Sequence, residues 1–176
     1  MNKLLLFVAS LCLLLPASQA AAEEGHGAHA LTVAIMNAEG KTIGSAKLTQ
    51  EADNVRIRVE AEKLTPGVHA IHIHETGKCD PPDFKSAGEH FNPGHKQHGF
   101  NNPQGFHAGD LPNITADAEG KVKADITSAV ITLLPGKPNS LRKEGGTALI
   151  IHEKADDYVT DPAGNAGARI ACGVIR

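Results

Sequence analysis

From residue 31 onward, apolar and polar positions alternate with a period of two over most of the chain. Leu31, Val33 and Ile35 share one side of a first predicted strand, residues 31–35, and Asn37-Ala-Glu-Gly40 reads as a turn into a second over 41–49. The cleanest alternation is at 55–61. Val55, Ile57, Val59 and Ala61 point one way and Arg56, Arg58 and Glu60 the other, the mark of a half-buried strand. Pro66-Gly67 interrupts the chain before a fourth strand at 68–75. Residues 76–112 contain no periodic segment and are rich in Gly, Pro, Asn and His, and a loop of that length in a compact domain is usually functional or disordered. Alternation resumes at 114–118, turns at Glu119-Gly120 and returns over 122–126 as a predicted hairpin, with a further strand at 129–133 cut short by Pro135-Gly136. Gly145-Gly146 precedes a continuously apolar strand at 147–152, a second polar loop covers 153–168, and 169–175 is the last strand. About eight short strands separated by turn signals, with no helical period, predict an all-β antiparallel sandwich or barrel carrying two long functional loops. No internal repeat or linker divides residues 30–176, so they are expected to form one domain.

The first residues do not fit that pattern. Lys3, an apolar run from 4 to 15 and the small-residue stretch Ser18-Gln-Ala20 predict a secretory signal peptide over 1–20, with the apolar run too short to span a membrane. Leu11 stands before Cys12 where a lipoprotein signal needs a small residue. Residues 21–29 are small and polar and are expected to form a flexible tail, in which nothing fixes the geometry of His26 and His29. The predicted address is therefore export, to the periplasm or beyond the cell. The 176-residue chain has a formal charge of −3 and no basic stripe, which argues against nucleic acid as a partner. An anionic substrate would need a local positive site. Without the leader, Cys79 and Cys172 remain, and an even pair in an oxidising compartment predicts a disulfide bond.

The remaining signal is histidine. Ten are present, eight of them between His69 and His152, in a chain with one Tyr and no Trp. His72 and His74 are two apart on a predicted strand, so both imidazoles project from one face while Ile71 and Ile73 face the other. Two such rings are half of a nitrogen site suited to copper or zinc. His69 has the parity of the isoleucines and reads as a structural, hydrogen-bonded histidine. His152 ends a separate buried strand and would add a third ring if that strand lay beside the first. His90, His98, His107 and Asp110 come from one loop, and three imidazoles with a carboxylate fill a tetrahedral zinc site. His95, in the same loop, reads as a solvated bystander.

Six stretches carry a resemblance. They are Gly67-Val-His69-Ala-Ile-His72-Ile-His74-Glu75, Gly88-Glu-His90-Phe-Asn-Pro93, Lys96-Gln-His98-Gly99, His107-Ala-Gly-Asp110-Leu-Pro-Asn113, Ile151-His152-Glu-Lys-Ala-Asp156-Asp157, and Gly164-Asn-Ala-Gly-Ala-Arg169-Ile-Ala-Cys172-Gly-Val-Ile175. Together, and in order from about residue 31 to 176, they resemble the copper–zinc superoxide dismutase family. The resemblance implies an eight-stranded Greek-key sandwich, one copper and one zinc per chain, and dismutation of superoxide as an antioxidant activity. It implies copper on His72, His74, His90 and His152, and zinc on His90, His98, His107 and Asp110, with His90 shared. Asp156 would link a copper ligand to a zinc ligand, with Asp157 a solvated neighbour. Arg169 would bind the incoming anion, and Cys79–Cys172 would be the family's intrasubunit disulfide. The loop between His152 and Arg169 is short, which leaves the strength of electrostatic guidance open.

Two other functional classes fit the same scaffold less well. A metal buffer or copper-delivery domain on the same scaffold would lack an essential ligand or the arginine, and none is missing here. An adhesion module would give no reason for seven convergent ligands. The expected partner is superoxide alone, with no stable membrane insertion. A homodimer is left open, and no aromatic strip along the sequence marks an interface.

Overall fold

The computed structural model describes residues 30–176; the expected leader and the tail with His26 and His29 lie outside them. Among the described residues no helix is long and apolar enough to cross a membrane. Among the described residues nine strands occur: β1 (Ala30–Asn37), β2 (Thr42–Glu51), β3 (Asn54–Ala61), β4 (Gly67–His69), β5 (Ile71–His74), β6 (Ile114–Ala116), β7 (Val122–Ser128), β8 (Thr147–His152) and β9 (Arg169–Ile175). Seven form an antiparallel sheet in the order β5-β8-β9-β1-β2-β3-β7, and β4 pairs with β6 in a two-stranded sheet. The chain is all-β and antiparallel, as its alternation predicts. Val55, Ile57 and Val59 of β3 are fully buried, and their outward neighbour Arg56 meets Asp125 of β7 through two hydrogen bonds, 2.7 and 2.6 Å.

The main core gathers Val33 and Ile35 from β1, Ile71 and Ile73 from β5, and Leu149 and Ile151 from β8. Strand β8 is buried on both faces. Its other face sends Ala148 and Ile150 into a smaller cluster with Phe84, Ala87 and the bonded Cys79 and Cys172. This second face of β5 and β8 is the site's floor. His72 lies opposite Ile150 and His74 opposite Ala148, and directly paired residues share a face. The two long loops, 75–113 and 153–168, cover it. Gly109 allows the first to pack closely, since a Cβ there would collide with the carbonyl oxygen of Ile73.

Three expected elements differ. The strand at 68–75 is broken at Ala70, whose N–H donates to Lys154 O at 2.8 Å and whose carbonyl accepts from His152 N at 2.9 Å. Its ladder groups are used by the end of β8 and the following loop, so β4 leaves the main sheet. The hairpin at 114–126 keeps its turn, with Asp117 N donating to Lys121 O at 2.9 Å. Its arms then part, β6 to β4 and β7 to β3, because β3 offers pairing along all of β7, from Val122 to Ser128. Residues 129–133 form no strand. They make one isolated bridge, Thr132 to Ser140, and Gln50 Oε1 accepts from Thr132 Oγ1 and Leu133 N at 2.8 Å each.

One surface feature could not be seen along the chain. Phe100 and Phe106 meet at 4.6 Å between ring centroids, and Phe100 and Tyr158 at 5.5 Å. Three of the few aromatic residues thus form a cluster beside exposed Val159, where the linear sequence shows no strip.

Candidate metal centre

Four imidazoles meet on the second face of β5 and β8. His72 and His74 come from β5 and His152 from the end of β8, while His90 is held against β5 by an isolated bridge to His74. All four are buried, and one ring nitrogen from each lies within 4.8 Å of the others. Four buried atoms in this group have no hydrogen-bond partner: His72 Nδ1, His74 Nε2, His90 Nε2 and His152 Nε2. Leaving buried polar atoms unpaired costs about 1–3 kcal/mol each. Four unpartnered nitrogens on four converging rings fit a bound cation, and an all-imidazole donor set suits copper.

The opposite nitrogens are engaged. His72 Nε2 is 2.8 Å from Asp156 Oδ2, His74 Nδ1 is 2.8 Å from Gly88 O, and His152 Nδ1 is 3.4 Å from Gly167 O. These acceptors place the ring proton on the outward nitrogen, leaving the inward lone pair free.

A second group shares His90. His90 Nδ1 and His98 Nδ1 each lie 3.0 Å from Asp110 Oδ1. His107 Nδ1 stands 3.3 Å from the same oxygen and 3.3 Å from His90 Nδ1. A tetrahedral zinc with bonds of about 2.0 Å has donor-to-donor edges of roughly 3.3 Å, so this spacing fits. A compact cluster of His72, His90, His98 and Asp110 also lies within 4.8 Å, but His72 Nε2 is committed to Asp156. The structure therefore brings together all seven residues named from the sequence, with the two nitrogens of His90 facing one group each. Both groups are buried and histidine-rich, consistent with copper and zinc.

Asp156 joins the two halves. Its Oδ2 faces His72, and its Oδ1 accepts from His98 Nε2 at 2.9 Å and from Tyr158 N at 2.7 Å. Gly164 makes room for it, as a Cβ there would collide with the carboxylate. Asp157 is solvent-exposed, as expected, and also organises its own turn. It accepts from the N–H groups of Val159 and Thr160 and from the Thr160 hydroxyl, and these hydrogen bonds, the hydroxyl's first, lower its pKa to about 2.

His69 stays outside both groups, with Nδ1 2.8 Å from His152 O and Nε2 2.7 Å from Thr65 O. His95 is exposed, with positive φ, and lines a cleft that also reaches His90, His107 and Asp161 without joining either group. Arg169 is the register partner of His152 on β9 and donates from Nη1 to Phe84 O at 2.9 Å. It borders a cleft of 550 Å³ that is also lined by Asp83, Lys85, Glu89 and Gly167. Sequence reasoning missed the clamp from Asn113, which donates to Asp156 O and accepts from Asp156 N, both at 2.9 Å. Asn113 stands inside a quoted motif, so its position was available though its role was not. The carbonyls of Phe84, Gly88 and Gly167 carry no sequence signal, because any residue has one.

In the metal-free protein, burial pushes His90 down to about 4 and His152 down to about 3, and lowers His74 as well. Burial also acts against charged His98, but Asp110 and Asp156 outweigh it and raise its pKa to about 9. Unfolded histidine titrates near 6.5, at about its model value. As pH falls from there towards 4, the unfolded chain takes up protons that folded His74, His90 and His152 refuse, so stability is lost. The His98 contribution runs the other way: it is complete below 6.5 and is lost as pH rises towards 9. The thermal midpoint of metal-stripped protein is therefore expected to peak near pH 6.5 and fall on both sides. A midpoint that is level from pH 4 to 9 would contradict these assignments.

The sequence profile described as Copper/zinc superoxide dismutase (SODC) matches residues 42–175. The chain is 57% identical over 143 residues to "Superoxide dismutase [Cu-Zn] 1" of Aquifex aeolicus, covering 81% of this chain and 85% of that one. A solved superoxide dismutase-like protein from Bacillus subtilis superposes with TM-score 0.79 at 46% identity, over 82% of this chain and 97% of that one. The Cu/Zn superoxide dismutase of Brucella abortus superposes with TM-score 0.67 at 32% identity, over 84% and 99%.

Proposed function

Because the chain belongs to the copper/zinc superoxide dismutase family, we propose that it converts two superoxide anions and two protons into oxygen and hydrogen peroxide. The observation that carries this reading is the set of four orphaned inward nitrogens on His72, His74, His90 and His152. In it, those four residues hold copper, and His90, His98, His107 and Asp110 hold zinc, one of each per chain. When bound, copper would supply a one-electron couple, and zinc a fixed charge that does not change oxidation state.

The chain's own residues do the rest. His90 Nδ1 stays on the zinc side, so its ring keeps its orientation while Nε2 takes up and returns a proton to the departing peroxide. Asp156 holds the His72 and His98 rings in one tautomer each. Arg169 draws in the anion and fixes its approach, and Phe84 O fixes the guanidinium. The predicted leader at 1–20 supports antioxidant action outside the cytoplasm. A second reading, a metal-binding protein without dismutase activity, is kept because one relative is described only as superoxide dismutase-like.

The cleft beside Arg169 sharpens the test. Asp83 is paired with Lys85 at 2.9 Å, which leaves Glu89 as the counter-charge to Arg169. The lining is thus neutral in formal charge, and Arg169→Ala makes it negative. Metal-loaded wild type is expected to dismutate superoxide, to lose activity with its copper under a chelator, and to regain it on reconstitution. Arg169→Ala is expected to retain both metals and lose roughly tenfold in rate at low salt, with the deficit shrinking as salt screens the repulsion. No activity in fully loaded wild type would favour the second reading. Unchanged activity of the variant at every ionic strength would remove the role given to Arg169.

A further inference from the structure

The outward nitrogens of the ligand rings can be followed one by one. His72 and His98 reach Asp156, His74 reaches Gly88 O and His152 reaches Gly167 O. His90 has no outward nitrogen, since each of its two faces a metal group. That leaves His107 Nε2. With Nδ1 turned to Asp110, it must carry the ring proton, and the acceptor facing it is Asp161 Oδ1 at 3.9 Å. The same oxygen accepts the backbone N–H of His98 at 2.6 Å. One carboxylate oxygen from the loop before β9 therefore faces two zinc-side residues.

We infer that Asp161 is a positioning residue of the zinc site, holding the His107 ring through Nε2 and the His98 backbone through N–H. This rests on the reading of His90, His98, His107 and Asp110 as zinc ligands. The half-exposed carboxylate stands within ion-pair distance of the ring nitrogen, and Asp157 builds the turn that presents it. Carboxylates behind a metal-bound histidine raise ring basicity and fix its orientation, and losing one typically costs 10–100-fold in metal affinity. Asp161 thus gives His107 what Asp156 gives His98, and it ties the second loop to the first on the zinc side.

Asp161→Asn removes the charge and keeps an acceptor oxygen. The amide oxygen still accepts the His98 N–H, while the charge opposite His107 is gone. Full-length protein loaded with copper and zinc would be compared as wild type, Asp161→Asn and Asp161→Glu. Zinc release to a chromophoric chelator is expected to be about tenfold faster in Asp161→Asn and to return close to wild type in Asp161→Glu. With cobalt in the zinc site, the visible bands of Asp161→Asn are expected to shift, and the thermal midpoint of the metal-free protein to stay put. Equal release rates and identical bands would overturn the inference. A metal-free midpoint that drops as far as the loaded one would also overturn it, because Asp161 would then only hold the loop. Failure of wild type to bind one zinc per chain, or to give tetrahedral cobalt bands, would instead sink the zinc reading beneath it.

Discussion

Asp156→Asn is expected to lower metal affinity about 10–100-fold, with copper lost more readily than zinc. The carboxylate is buried and accepts on both oxygens: His72 on Oδ2, His98 and Tyr158 on Oδ1. An amide has one oxygen and one NH₂, so one ring must face a donor. Two donors converge on Oδ1 against one on Oδ2, which favours the amide oxygen beside His98. The NH₂ then faces His72 Nε2 and pushes the ring proton to Nδ1, the nitrogen the copper reading needs unprotonated. A tenfold to hundredfold loss corresponds to about 1.4–2.7 kcal/mol. Metal content after dialysis against a graded chelator measures it. Retention of both metals at wild-type levels would show that Asp156 does not set the tautomers.

Breaking the disulfide is expected to have the largest effect on stability. Cys79 and Cys172 are 93 residues apart, and closing so long a loop stabilises the fold by about 4–5 kcal/mol in chain-entropy terms. Cys172 is fully buried and Cys79 nearly so, beside Phe84, Ala87, Ala148 and Ile150. Phe84 also supplies the carbonyl that holds Arg169. Cys79→Ser with Cys172→Ser should lower the unfolding free energy by about 2–5 kcal/mol in chemical denaturation. It should also reduce dismutation at full metal loading, because the anchor of Arg169 loosens. An unchanged denaturation midpoint would refute the first claim, and unchanged activity the second.

The two predictions act on parts of the site that were unequally readable along the chain. The spacing of His72 and His74 was sufficient, because a strand repeats every two residues and projects both rings from one face. The break at Ala70 did not alter that parity within β5. The likeness of six motifs named Asp156 as a bridge between sites, and its two oxygens do face His72 and His98. Asp161 stayed invisible, since nothing marks one loop aspartate among several until its distance to His107 is known. The strand expected at 129–133 failed because apolar residues can be buried without a ladder partner. Ile131 and Leu133 are in the core, yet the backbone there is satisfied by Gln50 and a single bridge. The aromatic cluster was missed because Phe100 and Tyr158 are far apart in the chain and meet through two loops stitched by Asn101 N to Tyr158 O.

By itself, the sequence determined the local terms: strand periodicity, the faces on which His72 and His74 sit, the unpatterned loops and the residue types able to hold copper and zinc. These depend on a few neighbours and on the chemistry of each side chain. Tertiary structure decided which strands pair, that β8 lies between β5 and β9, and hence that His152 joins His72, His74 and His90 and Arg169 stands across from it. It also decided which nitrogen of each ring points inward, because that depends on an acceptor supplied by another part of the fold. For His72 that acceptor lies 84 residues away.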